Sequence, residues 1–217
     1  MKLPEGYYAI LDVHASESQD VSRAIERAQR LLSAGPSHLQ LRAKAATAAD
    51  MMMLGRALLP LTQSFGVSFC INDRLDVALA LGADAVHLGQ DDLPLADARR
   101  IVGDRMQLGI STHTAAQAAD AIAAGADYIG FGPIFPTRTK ADPDPVVGVA
   151  LLASVAARAR IPVVAIGGIA LTNVAEIAGA GAAAVALISA MEAVADPVAA
   201  GQSVNAAFAR SRRPRVI

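Results

Sequence analysis

The chain has 217 residues, 19 basic against 20 acidic side chains, 53% apolar residues and 4% aromatics, the balance of a soluble globular protein with one sizeable core. A formal net charge of −1 leaves no basic excess to neutralise a run of phosphates, which argues against general nucleic-acid binding. The longest uncharged stretch near the C-terminus, Ile177–Met191, is too short and too interrupted by glycine to cross a bilayer, so no membrane role is expected.

Short aliphatic runs alternate along the chain with longer alanine-rich segments that carry charges at helical spacing. The first run, Tyr7–Val13, follows Met1-Lys2-Leu3-Pro4-Glu5-Gly6, which lacks the apolar segment of a secretory leader, and a cytoplasmic location is expected. A helix over Asp20–Ala34 leads to a second strand, His38–Lys44. There the alternation of Gln40-Leu41-Arg42-Ala43-Lys44 sets an amide, a guanidinium and an ammonium on one face and two apolar side chains on the other. Two cations on an inward face are costly without a compensating anion, so an anionic ligand is the expectation and a solvated strand end the competing one. Lysine is scarce: only Lys2, Lys44 and Lys140 occur, beside 16 arginines.

A helix over Ala48–Phe65 precedes the third strand, Ser68–Asp73. It contains the single cysteine, Cys70, read as a small buried core residue. Asn72-Asp73 close this strand. After a helix over Arg74–Leu81, the fourth strand, Ala85–Gln90, runs into Asp91-Asp92. Carboxylates at adjacent strand ends beside basic residues fit a hard cation such as Mg²⁺ on a diphosphate. Each aspartate also precedes a helix, and taken alone either one reads as an N-cap sooner than as a ligand.

A helix over Leu95–Val102 and a strand over Gln107–Thr112 end in Ser111-Thr112-His113. A helix over Ala115–Ala124 and a strand over Tyr128–Phe135 then enter a long proline-rich loop, Gly132 to Pro145, holding Thr137, Arg138, Thr139 and Lys140. Such a loop is either a lid or a surface excursion. A helix over Val149–Ala159, a strand over Pro162–Ile169 containing Gly167-Gly168, a helix over Thr172–Ala178, a strand over Ala183–Ala190 with Ile188-Ser189, and a helix over Pro197–Arg210 complete the series. Glycines at positions 35, 66, 82, 103, 125 and 179 mark helix ends. The patterns Gly82-Ala83-Asp84-Ala85-Val86, Gly125-Ala126-Asp127-Tyr128-Ile129 and Gly181-Ala182-Ala183-Ala184-Val185 each lead from a helix into a strand. Eight strand-then-helix units without a linker predict one (β/α)₈ TIM barrel over residues 1–217. An open doubly wound sheet is the alternative. In a barrel the active site lies at the C-terminal strand ends, with a phosphate commonly held after strands seven and eight.

The segments Gln40–Lys44, Ile71–Arg74, Val86–Asp92, Gly109–His113, Gly130–Lys140 and Ala165–Ile169 together closely resemble the thiamine-phosphate synthase (thiamine-phosphate pyrophosphorylase) family. The resemblance implies transfer of a hydroxymethylpyrimidine unit from its diphosphate to thiazole phosphate, giving thiamine phosphate and pyrophosphate. Gln40, Arg42, Lys44, Asn72, Ser111 and Lys140 then correspond to diphosphate-substrate contacts, with Arg42, Ser111 and Lys140 the catalytic candidates. Asp73 and Asp92 correspond to ligands of Mg²⁺, and Thr137, Thr139, Gly168, Ile188 and Ser189 to thiazole-phosphate contacts. The family often has an acid where this chain has Ala43, on the face turned from the mouth. His87 and His113 are read as hydrogen-bonded structural residues. Two related alternatives are a thiazole tautomerase-like barrel and a non-catalytic sensor of thiamine precursors. A sugar-phosphate isomerase or epimerase is a third, but it leaves Asn72, Asp73 and Asp92 without a role. The expected partners are small-molecule substrates, and a homodimer is carried as a further expectation.

Overall fold

The computed structural model describes residues 2–137 and 144–211. Its strands are β1 (Gly6–Asp12), β2 (His38–Arg42), β3 (Ser68–Asn72), β4 (Ala85–Leu88), β5 (Gln107–Thr112), β6 (Tyr128–Phe131), β7 (Val163–Ala165) and β8 (Ala184–Leu187). They pair in parallel in chain order, and β8 closes on β1. Between them run α1 (Val21–Ser33), α2 (Ala48–Ser64), α3 (Leu75–Leu81), α4 (Leu95–Val102), α5 (Ala115–Ala123), α6 (Gly148–Arg158) and α7 (Val174–Gly179), with α8 (Ser189–Glu192) and α9 (Pro197–Ser211) after β8. The architecture is the expected (β/α)₈ barrel. The four-residue α8 was not anticipated, since so short a helix has no periodicity to read.

Local chemistry starts the helices where the sequence places polar caps. Asp20 accepts from the Arg23 N–H at 3.0 Å, Thr114 from the Gln117 N–H at 3.1 Å, and Thr47 and Asp50 cap each other's backbone. At the other end of α3, Gly82 takes the left-handed conformation, φ 68°, and its N–H closes onto the Ala78 and Leu79 carbonyls. Gly179 differs from expectation: it is the last residue of α7, and the left-handed turn comes two residues later at Gly181, φ 92°.

Two packed layers follow from strand alternation. Tyr7, Ala9 and Leu11 face outward with Leu39, Leu41 and Ala43 into the large apolar shell beneath the helices. Tyr8 and Ile10 face inward with Tyr128, Val164, Ala184 and Ala186. The base of the interior is polar. His38 Nε2 lies 3.1 Å from Gln107 Oε1, the Gln107 amide donates to the Lys2 carbonyl at 3.0 Å, and Tyr8 stacks on the His38 ring at 5.2 Å. Among the described residues His38 Nδ1 has no hydrogen-bond partner. Burial pushes the His38 imidazole down to about 4.

A histidine held neutral in the folded state and free to protonate near pH 6.5 when unfolded stabilises the fold above that pH. The contribution drains away as pH falls toward 4, by about 1.4 kcal/mol per pH unit and about 3 kcal/mol in all. Denaturant unfolding of His38→Gln at several pH values between 4 and 7 is expected to give a slope smaller by about one proton than the wild type. Equal slopes would show that His38 carries no such linkage.

Candidate active site

The C-terminal strand ends gather one continuous set of polar groups. Asp12, at the end of β1, is 5% exposed and accepts from Arg42 Nη1 at 2.6 Å, its register partner on β2. Lys44 Nζ, just beyond β2, lies 3.3 Å from Asp73 Oδ2 beyond β3. Each of the two cations thus has a carboxylate partner within the chain. The sequence reading missed Asp12, although the alternation Tyr8, Ile10, Asp12 puts it on the inward face.

Gln40 lies deeper than the mouth position expected of it. It is buried, and its amide donates to Tyr8 Oη at 3.0 Å. Ala43 lies in the outer apolar shell, so the side chain at this position does not reach the mouth. Asn72 is buried at the end of β3, beside the cleft lined by Lys44, Asp73 and Arg74.

Neither aspartate is a helix cap. The N-caps of α3 and α4 are Arg74 and Pro94, both without side-chain capping bonds. Asp73 instead adopts φ 64°, the left-handed region that non-glycine residues rarely occupy outside special sites. Asp92 curls back so that Oδ2 accepts from the Gly89 N–H at 2.6 Å. Burial, reinforced by the facing Asp92 carboxylate, raises the Asp73 carboxyl above its ordinary range, and Lys44 opposes this in part. Two hard carboxylates on adjacent strand ends could together hold a divalent cation. Among the described residues no group of three or more histidine, cysteine, aspartate or glutamate side chains is placed to hold a metal alone. The pair therefore fits Mg²⁺, which commonly takes one or two carboxylates and fills its shell with substrate phosphate and water.

Ser111 sits half-buried at the end of β5, with Oγ 3.0 Å from His87 Nε2 and its carbonyl accepting from the Gln90 amide at 2.6 Å. Burial pushes the His87 imidazole down to about 4. His113 bridges the next strand, its Nδ1 2.6 Å from the Gly132 carbonyl and its Nε2 3.4 Å from Asp144 Oδ2. Both histidines are thus hydrogen-bonded.

The loops after β6 and β7 are fused. Ile134 N–H donates to the Ile166 carbonyl at 2.9 Å and Phe135 N–H to the Gly167 carbonyl at 3.0 Å. Gly167 and Gly168 have φ 94° and 65°, and a Cβ on Gly168 would lie 2.4 Å from the Pro136 carbonyl oxygen. The glycine pair thus makes room for the neighbouring loop. Thr137 is half-buried at the edge of that loop, while Thr139 and Lys140 lie outside the described residues. Ile188 borders the inner layer and Ser189, exposed, begins α8. Arg27 on α1 holds this corner: it donates to Glu17 and to the Asp12 carbonyl, each at 2.8 Å, and pairs with Glu192 of α8.

A family profile described as thiamine monophosphate synthase matches residues 7–191. The thiamine-phosphate synthase of Roseiflexus sp. (strain RS-1) is 45% identical over 203 residues, 93% of this chain and 84% of that protein. That of Chlorobium phaeovibrioides is 46% identical over 177 residues, 82% of this chain and 85% of that protein. Among solved structures, thiamine phosphate pyrophosphorylase from Pyrococcus furiosus superposes with a TM-score of 0.81 at 32% identity, covering 96% of this chain and 97% of that one. A 3-hexulose-6-phosphate synthase matches at 16% identity with a TM-score of 0.64, a likeness of fold alone.

Proposed function

The chain belongs to the thiamine monophosphate synthase family, and on that premise we propose that it joins hydroxymethylpyrimidine diphosphate to thiazole phosphate by a Mg²⁺-dependent transfer. The carbon–oxygen bond between the pyrimidine methylene and the diphosphate breaks, its electron pair leaving with pyrophosphate. The lone pair of the thiazole nitrogen forms the new carbon–nitrogen bond, and thiamine phosphate is the second product. That nitrogen carries no proton, so the reaction needs no general base. What it needs is charge stabilisation on the leaving group and alignment of two substrates.

The observation that carries this reading is the convergence of Arg42, Lys44, Asp73, Asp92 and Ser111 at one end of the barrel. Arg42 and Lys44, each held by a carboxylate, offer fixed positive charge to the diphosphate oxygens, and Ser111 offers a hydroxyl. Asp73 and Asp92 would hold Mg²⁺, which when bound neutralises charge developing on the diphosphate. Asn72 borders the diphosphate-substrate side, the buried Gln40 lies beneath it as a support for Tyr8, and Lys140 is added as a leaving-group cation on the strength of the family resemblance. Thr137, Thr139, Gly168, Ile188 and Ser189 are assigned to thiazole phosphate on the same basis. Among the described residues no helix is long and apolar enough to cross a membrane.

Purified protein given both substrates and Mg²⁺ is expected to release thiamine phosphate and pyrophosphate in equal amounts, measured by chromatography and a pyrophosphatase-coupled phosphate assay. Folded protein that binds both substrates without turnover, over a range of Mg²⁺ and pH, would instead identify a sensor of thiamine precursors.

A further inference from the structure

We propose that Tyr8, Tyr128 and His87 form a one-directional hydrogen-bond chain that turns the Ser111 hydroxyl toward the mouth as a donor to the diphosphate substrate, making Tyr128 a positioning residue for the transfer. The proposal rests on the reading of Ser111 as a substrate contact. It follows from counting hydrogens along the interior.

The Gln40 amide nitrogen can only donate, and it lies 3.0 Å from Tyr8 Oη. Tyr8 therefore accepts there and has a single hydrogen left; its remaining neighbours are Tyr128 Oη, 3.0 Å away, and the Cys70 thiol, of which the hydroxyl oxygen is the stronger acceptor. Tyr128, having accepted, has one hydrogen of its own. Its neighbours are His87 Nδ1 at 3.3 Å and Cys70 Sγ at 3.7 Å, and an imidazole nitrogen is the stronger acceptor. With Nδ1 accepting, the proton of the neutral ring sits on Nε2 and is donated to Ser111 Oγ at 3.0 Å. The Ser111 hydrogen is then not used by the chain and is free for a ligand. The Gln90 amide, on the Ser111 carbonyl at 2.6 Å, fixes the strand end that carries this hydroxyl.

The order cannot be reversed without changing the chemistry of the mouth. If the Gln40 amide presented its oxygen to Tyr8, each bond would run the other way, and Ser111 would spend its hydrogen on His87. Its lone pairs would then face the substrate, which repels an anion. The tyrosine at the centre of the chain is accommodated by a neighbour without a side chain: Gly109 is the register partner of Tyr128, and a Cβ there would lie 2.1 Å from Tyr128 Cζ.

Two measurements test this. In steady-state turnover with both substrates and Mg²⁺, Tyr128→Phe keeps the ring against Gly109 and is expected to lose about tenfold in kcat, with a melting temperature lowered because Tyr8 and His87 each lose a buried partner. Ser111→Ala is expected to lose at least as much, and adding Tyr128→Phe to it should cost less than about twofold further, because Tyr128 acts through a hydroxyl already removed. Losses that multiply in the double variant overturn the proposal. Nitrogen NMR of the wild-type histidines, with the His87 signals identified by their loss in His87→Asn, is expected to show His87 protonated at Nε2. Protonation at Nδ1 overturns the chain even where Tyr128→Phe does not fold. A wild-type protein that makes no product counts against the functional reading, and the tautomer still decides the order of the chain.

Discussion

Asp73→Asn and Asp92→Asn are each expected to lower kcat/KM by roughly 10²–10³-fold while leaving the melting temperature unchanged or slightly higher. The activity loss follows from replacing an anionic oxygen, facing its partner, by a neutral amide at a cation site that the chain supplies with few ligands. The stability expectation comes from the same geometry. Removing one charge from two facing carboxylates relieves repulsion in a half-buried place. Asn tolerates the left-handed backbone at position 73, and at position 92 its side-chain oxygen can still accept from the Gly89 N–H, seen at 2.6 Å. The loss should be steepest at low Mg²⁺, so titrating the metal in each variant separates a weakened cation site from a misplaced strand end. Activity within about threefold of the wild type in both variants would remove the ligand assignment, since that is under 1 kcal/mol.

The cap interpretation fails for a reason that sequence alone does not carry. An aspartate one or two residues before a helix looks the same whether its side chain folds forward onto the first turn or stays at the strand end. Here the backbone decides. Asp73 N–H donates to the His87 carbonyl at 2.8 Å, which continues the β3–β4 ladder one residue past β3 and commits Asp73 to the barrel rim. The strands themselves were legible from period and composition, and β5 and α4 have the predicted bounds. Several others stop early. The runs read as Tyr128–Phe135 and Pro162–Ile169 end at Phe131 and Ala165, yet Ile134 and Ile169 beyond them are buried. Apolar sequence continues past pairing because the loops tuck back over the barrel, a distinction hydrophobicity cannot make. The polar interior was illegible for another reason. Tyr8, His38, Gln107 and Tyr128 look like ordinary strand residues, and partners 69 and 120 residues apart meet only when the barrel closes.

Gly168→Ala is expected to destabilise the fold by about 2–4 kcal/mol and to lower activity by at least about 10²-fold, whereas Gly66→Ala should cost about 1 kcal/mol and leave kcat unchanged. The two glycines share φ 65°, so the backbone strain on adding a side chain is the same. Their surroundings differ. A Cβ on Gly66 meets nothing within 4 Å, while one on Gly168 would lie 2.4 Å from the Pro136 oxygen and 2.6 Å from the Phe135 oxygen. Main-chain oxygens cannot rotate aside as a flexible side chain can, so the loop after β6 has to move as a body. That loop also donates the Phe135 N–H to the Gly167 carbonyl at 3.0 Å and leads directly into Thr137. Displacing it shifts one candidate thiazole-phosphate residue and the backbone of another in a single step. The activity loss should therefore appear at temperatures where the variant is still fully folded, with KM for thiazole phosphate rising more than KM for the diphosphate. Chemical denaturation alongside kinetics at 15–25 °C measures both. If the two alanine variants lose equal stability and Gly168→Ala keeps wild-type KM values, the two loops are not mechanically coupled through this contact.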